Sequence, residues 1–247
     1  MSTDILIGNS GDKVYLKQDF VIKEAGVYPD KFRQQMNWLL SCDHPNFIKI
    51  EPINELSYKM KRHLTWYDQI CEQPITKSVS QLEDLIRLIN GFEGTGKTID
   101  VKSYLDKLKD RTGYYYEGTF DEYSKWGFVH GDLTVSNILY DDKFIFIDPR
   151  GTEEQDYYDF GKLMQSFVME YEAHIYNNKN IKYSKFCKEA EKIMYEWYDE
   201  YLLKFYLAVH LLGAVPFFKL NNRNELADLF LNKGHKLFNE LGIKYSK

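Results

Sequence analysis

Apolar residues in the first sixty positions fall in short runs broken by Gly, Asn and Asp. ILIG is followed by GNSGDK, then KVYLKQ, then DFVIKEA. The β-branched and aromatic types in these runs predict two or three short antiparallel strands. In PDKFRQQMNWLLSC the period changes. Phe32, Met36, Leu39 and Leu40 fall on one helical face, and Pro29 suits a first turn. HPNFIKI then turns into another strand, and EPINELSYKMKRH extends the region with a further one.

From about Ser78 helical spacing dominates. SVSQLEDLIRLIN places Leu82, Leu85, Ile86 and Ile89 on one face, with a Ser start in SQLEDL, and DVKSYLDKLKDR is helical again. Between Phe128 and Ile147 the chain returns to short apolar runs, FV, NILY and FIFI, separated by polar turns. After Asp156 three stretches read as helix: DYYDFGKLMQSFVMEYEAH, SKFCKEAEKIMYEWYDEYLLKFYLAVHLLGAV and RNELADLFLNKGHKLFNEL. No repeat or low-complexity linker interrupts them. The pattern is a small sheet-rich part, residues 1–63, and a larger helical part with a β-insert, residues 64–247, an α+β class.

Composition narrows the function classes. Net charge is -5, and 28% of residues are charged against 44% hydrophobic, a globular profile without the basic surface of a general nucleic-acid binder. Cys42, Cys71 and Cys187 lie far apart with no C-x-x-C pair, so a reducing, cytoplasmic setting is expected. The start, MSTDILIGNSGDK, lacks the basic and apolar regions of a signal peptide. The most apolar run, Phe205 to Phe218, is shorter than the roughly 20 residues of a membrane span and contains His210 and Pro216. It reads as a buried helix, and no membrane span is expected.

Two stretches carry nucleotide-like chemistry. GFEGTGKT, Gly91 to Thr98, matches the phosphate-binding loop G-x-x-x-x-G-K-[ST] letter for letter. Such a loop follows a buried strand and opens a helix. Here the preceding QLEDLIRLIN interleaves Glu83, Asp84 and Arg87 at helical spacing, and Asp100 starts the next helix. GFEGTGKTI is therefore expected to be a loop between helices, with Gly91 as a C-terminal cap. FIFID, ending at Asp148, has the form of the acidic strand that accompanies phosphate-binding loops, but few further β-α units follow. A P-loop hydrolase is the lesser alternative.

The second stretch, FVHGDLTVSNILYDDKFIFIDPRG, holds more independent parts. His130-Gly131-Asp132 precedes Asn137, a strand, a turn at Asp141-Asp142, a second strand and Asp148. Phosphoryl transfer uses these types: a carboxylate to orient the acceptor hydroxyl and take its proton, and an amide oxygen with a second carboxylate to hold magnesium on the phosphates. The hairpin NILYDDKFIFID offers a way to bring Asn137 and Asp148 together.

HGDLTVSNIL with FIDPRG resembles the aminoglycoside phosphotransferase and choline kinase group of the protein-kinase-like fold. GNSGDKVYLKQDFVIKE resembles the glycine-containing loop and strands of that fold's N-lobe, RQQMNWLLSCDHPNFIKI its first helix and following strand, and YDFGKL the helix start that supports the catalytic loop. The resemblance covers most of residues 5 to 170, and the DPRG ending is similar to kinase-like members found with bacterial surface-polysaccharide genes. It implies a two-lobed fold, magnesium with ATP or GTP, and a small-molecule hydroxyl acceptor such as a sugar, an amino alcohol or a glycan precursor. It further implies Asp132 as catalytic base, Asn137 and Asp148 as magnesium ligands, and Lys23 on the phosphates. Residues Gly8 to Lys13, chiefly Gly8, Asn9, Ser10 and Gly11, would lie over the phosphates, and Met60 in the segment Tyr58 to His63 would meet the base of the nucleotide. His130 and Asp159 would hold the loop in shape. One departure stands out. The helix glutamate that kinases pair with the strand lysine falls at Gln35, and the helix has no Glu. A nucleotide-binding protein with weak or no catalysis is the alternative this favours. Only ten residues separate Asp148 from Asp159, too few for a protein kinase's activation loop.

Overall fold

The fold is taken from a computed structural model that describes residues 4–7, 11–91, 94–98, 100–119, 123–150, 152–155 and 157–247, with side chains described outside 4–7, 94–98, 123–128 and 152–155. The chain divides into two compact units, Met1–Gln69 with Val135–Gly151, and Ile70–Thr134 with Thr152–Lys247. The β-hairpin of the HGD region thus groups with the N-terminal residues, across the expected break at 63/64.

The first unit begins with strands β1 (Asp4–Ile7), β2 (Lys13–Leu16) and β3 (Phe20–Glu24), helix α1 (Pro29–Ser41), and strands β4 (Ile50–Asn54) and β5 (Ser57–Lys61). The five strands form an antiparallel sheet in the order β1-β2-β3-β5-β4. Phe32, Met36 and Leu39 of α1 are buried as their spacing predicts, but Leu40 is exposed. It lies at the margin of a stripe that the other three fill. After the opening residues of α2 (Trp66–Glu72), the unit is completed by the hairpin β9 (Ile138–Asp141) and β10 (Lys143–Phe146). The hairpin is pinned by backbone bonds, Phe146 N–H to Asn46 O at 2.6 Å and Ile48 N–H to Phe146 O at 3.0 Å. Phe47 packs on Phe146 and Trp66 on Phe144.

The second unit holds α3 (Ile75–Asn90), β6 (Gly94–Thr98), α4 (Val101–Thr112), β7 (Tyr115–Glu117), β8 (Tyr123–Val129), β11 (Thr152–Gln155), α5 (Tyr157–Met169), α6 (Tyr171–Ile175), α7 (Ile181–Trp197), α8 (Glu200–Leu220), α9 (Asn224–Glu240) and β12 (Lys244–Ser246). Leu82, Leu85, Ile86 and Ile89 of α3 are all buried. The helix starts at Ile75 rather than near Ser78, whose hydroxyl accepts a hydrogen bond from Gln73 inside the first turns. α8 is long and apolar enough by composition to cross a membrane, but most of it is buried against α4, α5 and α9. At its crossing with α5 the chains nearly touch: a Cβ on Gly161 would stand 2.4 Å from Tyr206 Cβ.

Three expectations change. GTGKT is not a loop: it is strand β6, paired antiparallel to β8, which pairs in turn with β11. A ladder partner supplied by distant residues makes a strand of a glycine-rich segment with little local β-preference. Asp100 does cap α4, accepting from Ser103 N–H at 3.1 Å. The long helical stretch through Tyr198 is two helices, because Asp199 caps α8 by accepting from Leu202 N–H at 2.9 Å while Tyr198 is extended. Likewise α5 and α6 are separated at Glu170, whose φ is 45°.

Candidate active site

β3 alternates between half-buried and buried positions, and Lys23 occupies a buried one beside Val21. A lysine on the inner face of a sheet is unfavourable unless its charge is met. It is met by two carboxylates of the same unit: Lys23 Nζ lies 2.6 Å from Asp148 Oδ1 and 3.5 Å from Asp12 Oδ2. Burial opposes the ammonium's charge, but the Asp148 and Asp12 charges outweigh it and raise its pKa above the ordinary lysine value. Tyr58, directly across the ladder from Lys23, is buried and stacks on Phe32. Burial, then the neighbouring carboxylates against the opposing pull of Lys23, pushes its phenol well up.

Asp12 reads in the sequence only as part of the Gly8 to Lys13 stretch, not as a partner of Lys23. It follows Gly11, whose φ is +79°, and accepts a hydrogen bond from Gly26 N–H at 2.8 Å. The backbones meet so closely that a Cβ on Gly26 would stand 2.2 Å from the Gly11 carbonyl carbon. Only glycine fits there, and the contact fixes Asp12 against Lys23. The signal was present as an acid immediately after a glycine turn, but its partner lies in another strand. Gln35 donates from Nε2 to Pro149 O at 3.0 Å. It thus secures the backbone beside Asp148, and the carboxylates on Lys23 come from Asp12 and Asp148.

The hairpin register pairs Ile138 with Phe146, and Ile147 N–H donates to Asn137 O at 3.1 Å. Asn137 and Asp148 therefore stand at the same end of β9–β10. Asp148 is held at φ 57°, in the left-handed region that non-glycine residues seldom adopt and that is common at functional sites. Met60 lies on β5 across from Val21, largely buried. Gly8, Asn9 and Ser10 lie outside the described residues; Gly11 is the one member of that group whose backbone is described.

Asp132 belongs to the second unit. Gly131 turns with φ +79°, and Asp132 N–H donates to His130 Nδ1 at 3.2 Å. The buried Asp159 carboxylate in the first turn of α5 accepts from His130 N–H at 2.6 Å and Gly131 N–H at 2.8 Å, the support expected of it. One turn further along α5, Lys162 reaches Asp132 Oδ1 at 3.1 Å. Lys162 was not predicted; its sequence signal is a lysine three residues after Asp159 within the apolar run of FGKLM.

The donor chemistry suits a hard divalent cation. Magnesium is usually held by one or two protein oxygens together with substrate phosphates, and an amide and a carboxylate at one hairpin end provide that set. Among the described residues there is no cluster of three or more His, Cys, Asp or Glu that would bind a metal unaided.

No protein-family model matches the chain, and no curated protein sequence matches it. Solved structures do. A choline/ethanolamine kinase family protein from Mesorhizobium loti is 10% identical, with a TM-score of 0.52 over 98% of this chain and 90% of that one. A thermostable mutant of the aminoglycoside phosphotransferase APH(4)-Ia is 10% identical, with a TM-score of 0.56 over 97% and 94%. The GDP complex of an aminoglycoside 2'-phosphotransferase mutant is 11% identical, with a TM-score of 0.52 over 97% and 92%. The chain has the protein-kinase-like fold of these structures, a mixed α+β architecture that extends over nearly its whole length.

Proposed function

We propose that this chain is a magnesium-dependent small-molecule kinase that transfers the γ-phosphate of ATP or GTP to a hydroxyl of a small acceptor. The observation that carries the reading is the buried Lys23 on β3, ion-paired to Asp148 at the end of the hairpin that Asn137 opens. A sheet lysine and a hairpin carboxylate are the pieces that hold nucleotide phosphates and their metal in this fold. A related fold member has been crystallised with ADP and hygromycin B, and another with GDP, which supports a purine nucleotide and a polyhydroxylated acceptor.

In this reading Lys23 binds the phosphates, with Asp12 holding its ammonium in place in the role that a helix glutamate would otherwise have. Gly8 to Gly11 cover the phosphates and Met60 contributes to the base pocket. Asn137 and Asp148 hold magnesium, which when bound offsets charge on the phosphate oxygens. Asp132 accepts a hydrogen bond from the acceptor hydroxyl, orients it for in-line attack and takes its proton. The segment from Asp148 to Asp159 is short and includes β11, which favours a small acceptor over a protein. A sugar, an amino alcohol or a glycan precursor fits, and a cytoplasmic enzyme of surface-polysaccharide assembly is the setting we favour.

Gln35 favours a second reading, a nucleotide-binding protein without turnover. Asp12 weighs against it, because a carboxylate still accompanies Lys23. The test is a ³¹P NMR screen of sugars, amino alcohols and aminoglycosides with Mg-ATP and Mg-GTP. Phosphorylated product is expected from the wild type, with a loss on the order of 10²-fold or more in Asp132→Asn. Nucleotide binding without any product would select the second reading.

A further inference from the structure

We propose that Lys162 is a positioning residue for Asp132, one turn of α5 holding the HGD segment both by its backbone and by its reactive carboxylate. The proposal rests on the reading of Asp132 as the base. Residues three apart lie on the same face of a helix, and Asp159 and Lys162 both face the HGD turn. Asp159 accepts from the amides of His130 and Gly131. Lys162 donates to Asp132 Oδ1 at 3.1 Å and to Gln165 Oε1 at 3.3 Å.

The asymmetry of burial makes the case. Lys162 is 8% exposed, in a helix that is buried along almost its whole length. The Asp132 side chain is 35% exposed. A carboxylate that open to water needs no buried counter-charge for its own solvation, so the cation is not there to make Asp132 tolerable. It fixes the rotamer of the carboxylate. It also keeps the carboxylate ionised when the negative charge of a nucleotide triphosphate approaches, since a nearby anion favours the protonated form and a nearby cation opposes it. The arrangement parallels Lys23 and Asp148 in the other unit: each carboxylate assigned to the chemistry has a buried lysine of its own.

Among the described residues of its unit, Lys162 pairs with Asp132, His130 and Asp159 hold the same turn, and the Asp132 charge acts on Tyr171 of α6. The Tyr171 phenol is pushed up by burial and then by the Asp132 charge. Of these groups only Lys162 brings a lysine's permanent positive charge, so its removal has a defined sign.

The test compares Lys162→Met, which removes the charge but keeps an unbranched apolar chain, with Lys162→Arg, which retains the charge. Asp132 is followed by ¹³C NMR of aspartate-labelled protein, its side-chain carboxyl identified by its disappearance in Asp132→Asn. In Lys162→Met its titration midpoint should rise by about one to two pH units, the usual effect of losing an adjacent cation. Lys162→Arg should restore most of the shift. With an acceptor in hand, the acidic limb of kcat should move in parallel while the nucleotide KM stays within about twofold. Thermal melting checks that each variant is folded, and Lys162→Gln replaces the Met variant if that one is not. An unmoved midpoint in a folded Lys162→Met or Lys162→Gln, with Asp132→Asn inactive, would overturn the role of Lys162 alone. Full turnover in Asp132→Asn would overturn the base assignment and the role of Lys162 with it.

Discussion

Replacing Lys23 by methionine isolates the contribution of one ammonium to the first unit. The side chains of Lys23 and Asp12 are 7% and 8% exposed, while Asp148 is 29% exposed. Removing one partner of a buried ion pair costs about 3–5 kcal/mol, because the remaining charge keeps its desolvation penalty and loses its attraction. Water at Asp148 relieves part of this, so a loss of about 2–4 kcal/mol is expected. For a chain of this length each kcal/mol moves Tm by about 2–4 °C, so Lys23→Met should melt roughly 5–15 °C below the wild type at pH 7. The pH dependence has a definite sign. The folded pKa of Lys23 is raised above its ordinary 10.5, so the pair's stabilisation is fully present below that pH and is lost as pH rises beyond it. The gap between the two proteins should be flat from pH 7 to about 10 and narrow above it. Melting is followed by circular dichroism at 222 nm across that range. Equal melting of the two proteins at pH 7 would refute the claim that the pair stabilises the unit.

Two further substitutions follow from the fold. Lys97→Ala should leave turnover nearly unchanged, because GTGKT is a strand of an antiparallel sheet, whereas Lys23→Ala should cut it sharply; the reverse result in a kinase assay would return the chain to the phosphate-binding-loop class. Gly161→Ala should lower stability by about 1–3 kcal/mol through overpacking, since its Cβ would collide with Tyr206 at the α5–α8 crossing; a wild-type Tm would show that the crossing yields freely.

The parts of the site that read directly from the sequence are those fixed locally. Lys23 sits at a buried position in a strand whose alternation is visible, HGD precedes an evident hairpin, and Asp159 opens an evident helix. What could not be read are the partners. Asp148 is 125 residues from Lys23, and Asp12 becomes its second carboxylate only because Gly11 and Gly26 let two backbones meet. Lys162 looked like one more lysine in a helix until the HGD turn was placed beside it. The same physics explains the misread elements. β6 owes its form to a ladder with β8, and the break at Tyr198 rests on one capping hydrogen bond within an unbroken apolar period.

The central claim, a magnesium–nucleotide site built on Lys23, Asn137 and Asp148, is tested most directly by calorimetric titration of wild type and Asp148→Ala with ATP and GTP, each with and without magnesium. The wild type should bind at least one of the two nucleotides more tightly with magnesium, and Asp148→Ala should lose the magnesium-dependent part. Failure of the wild type to bind either nucleotide, or equal magnesium-dependent affinity in Asp148→Ala, would contradict the claim.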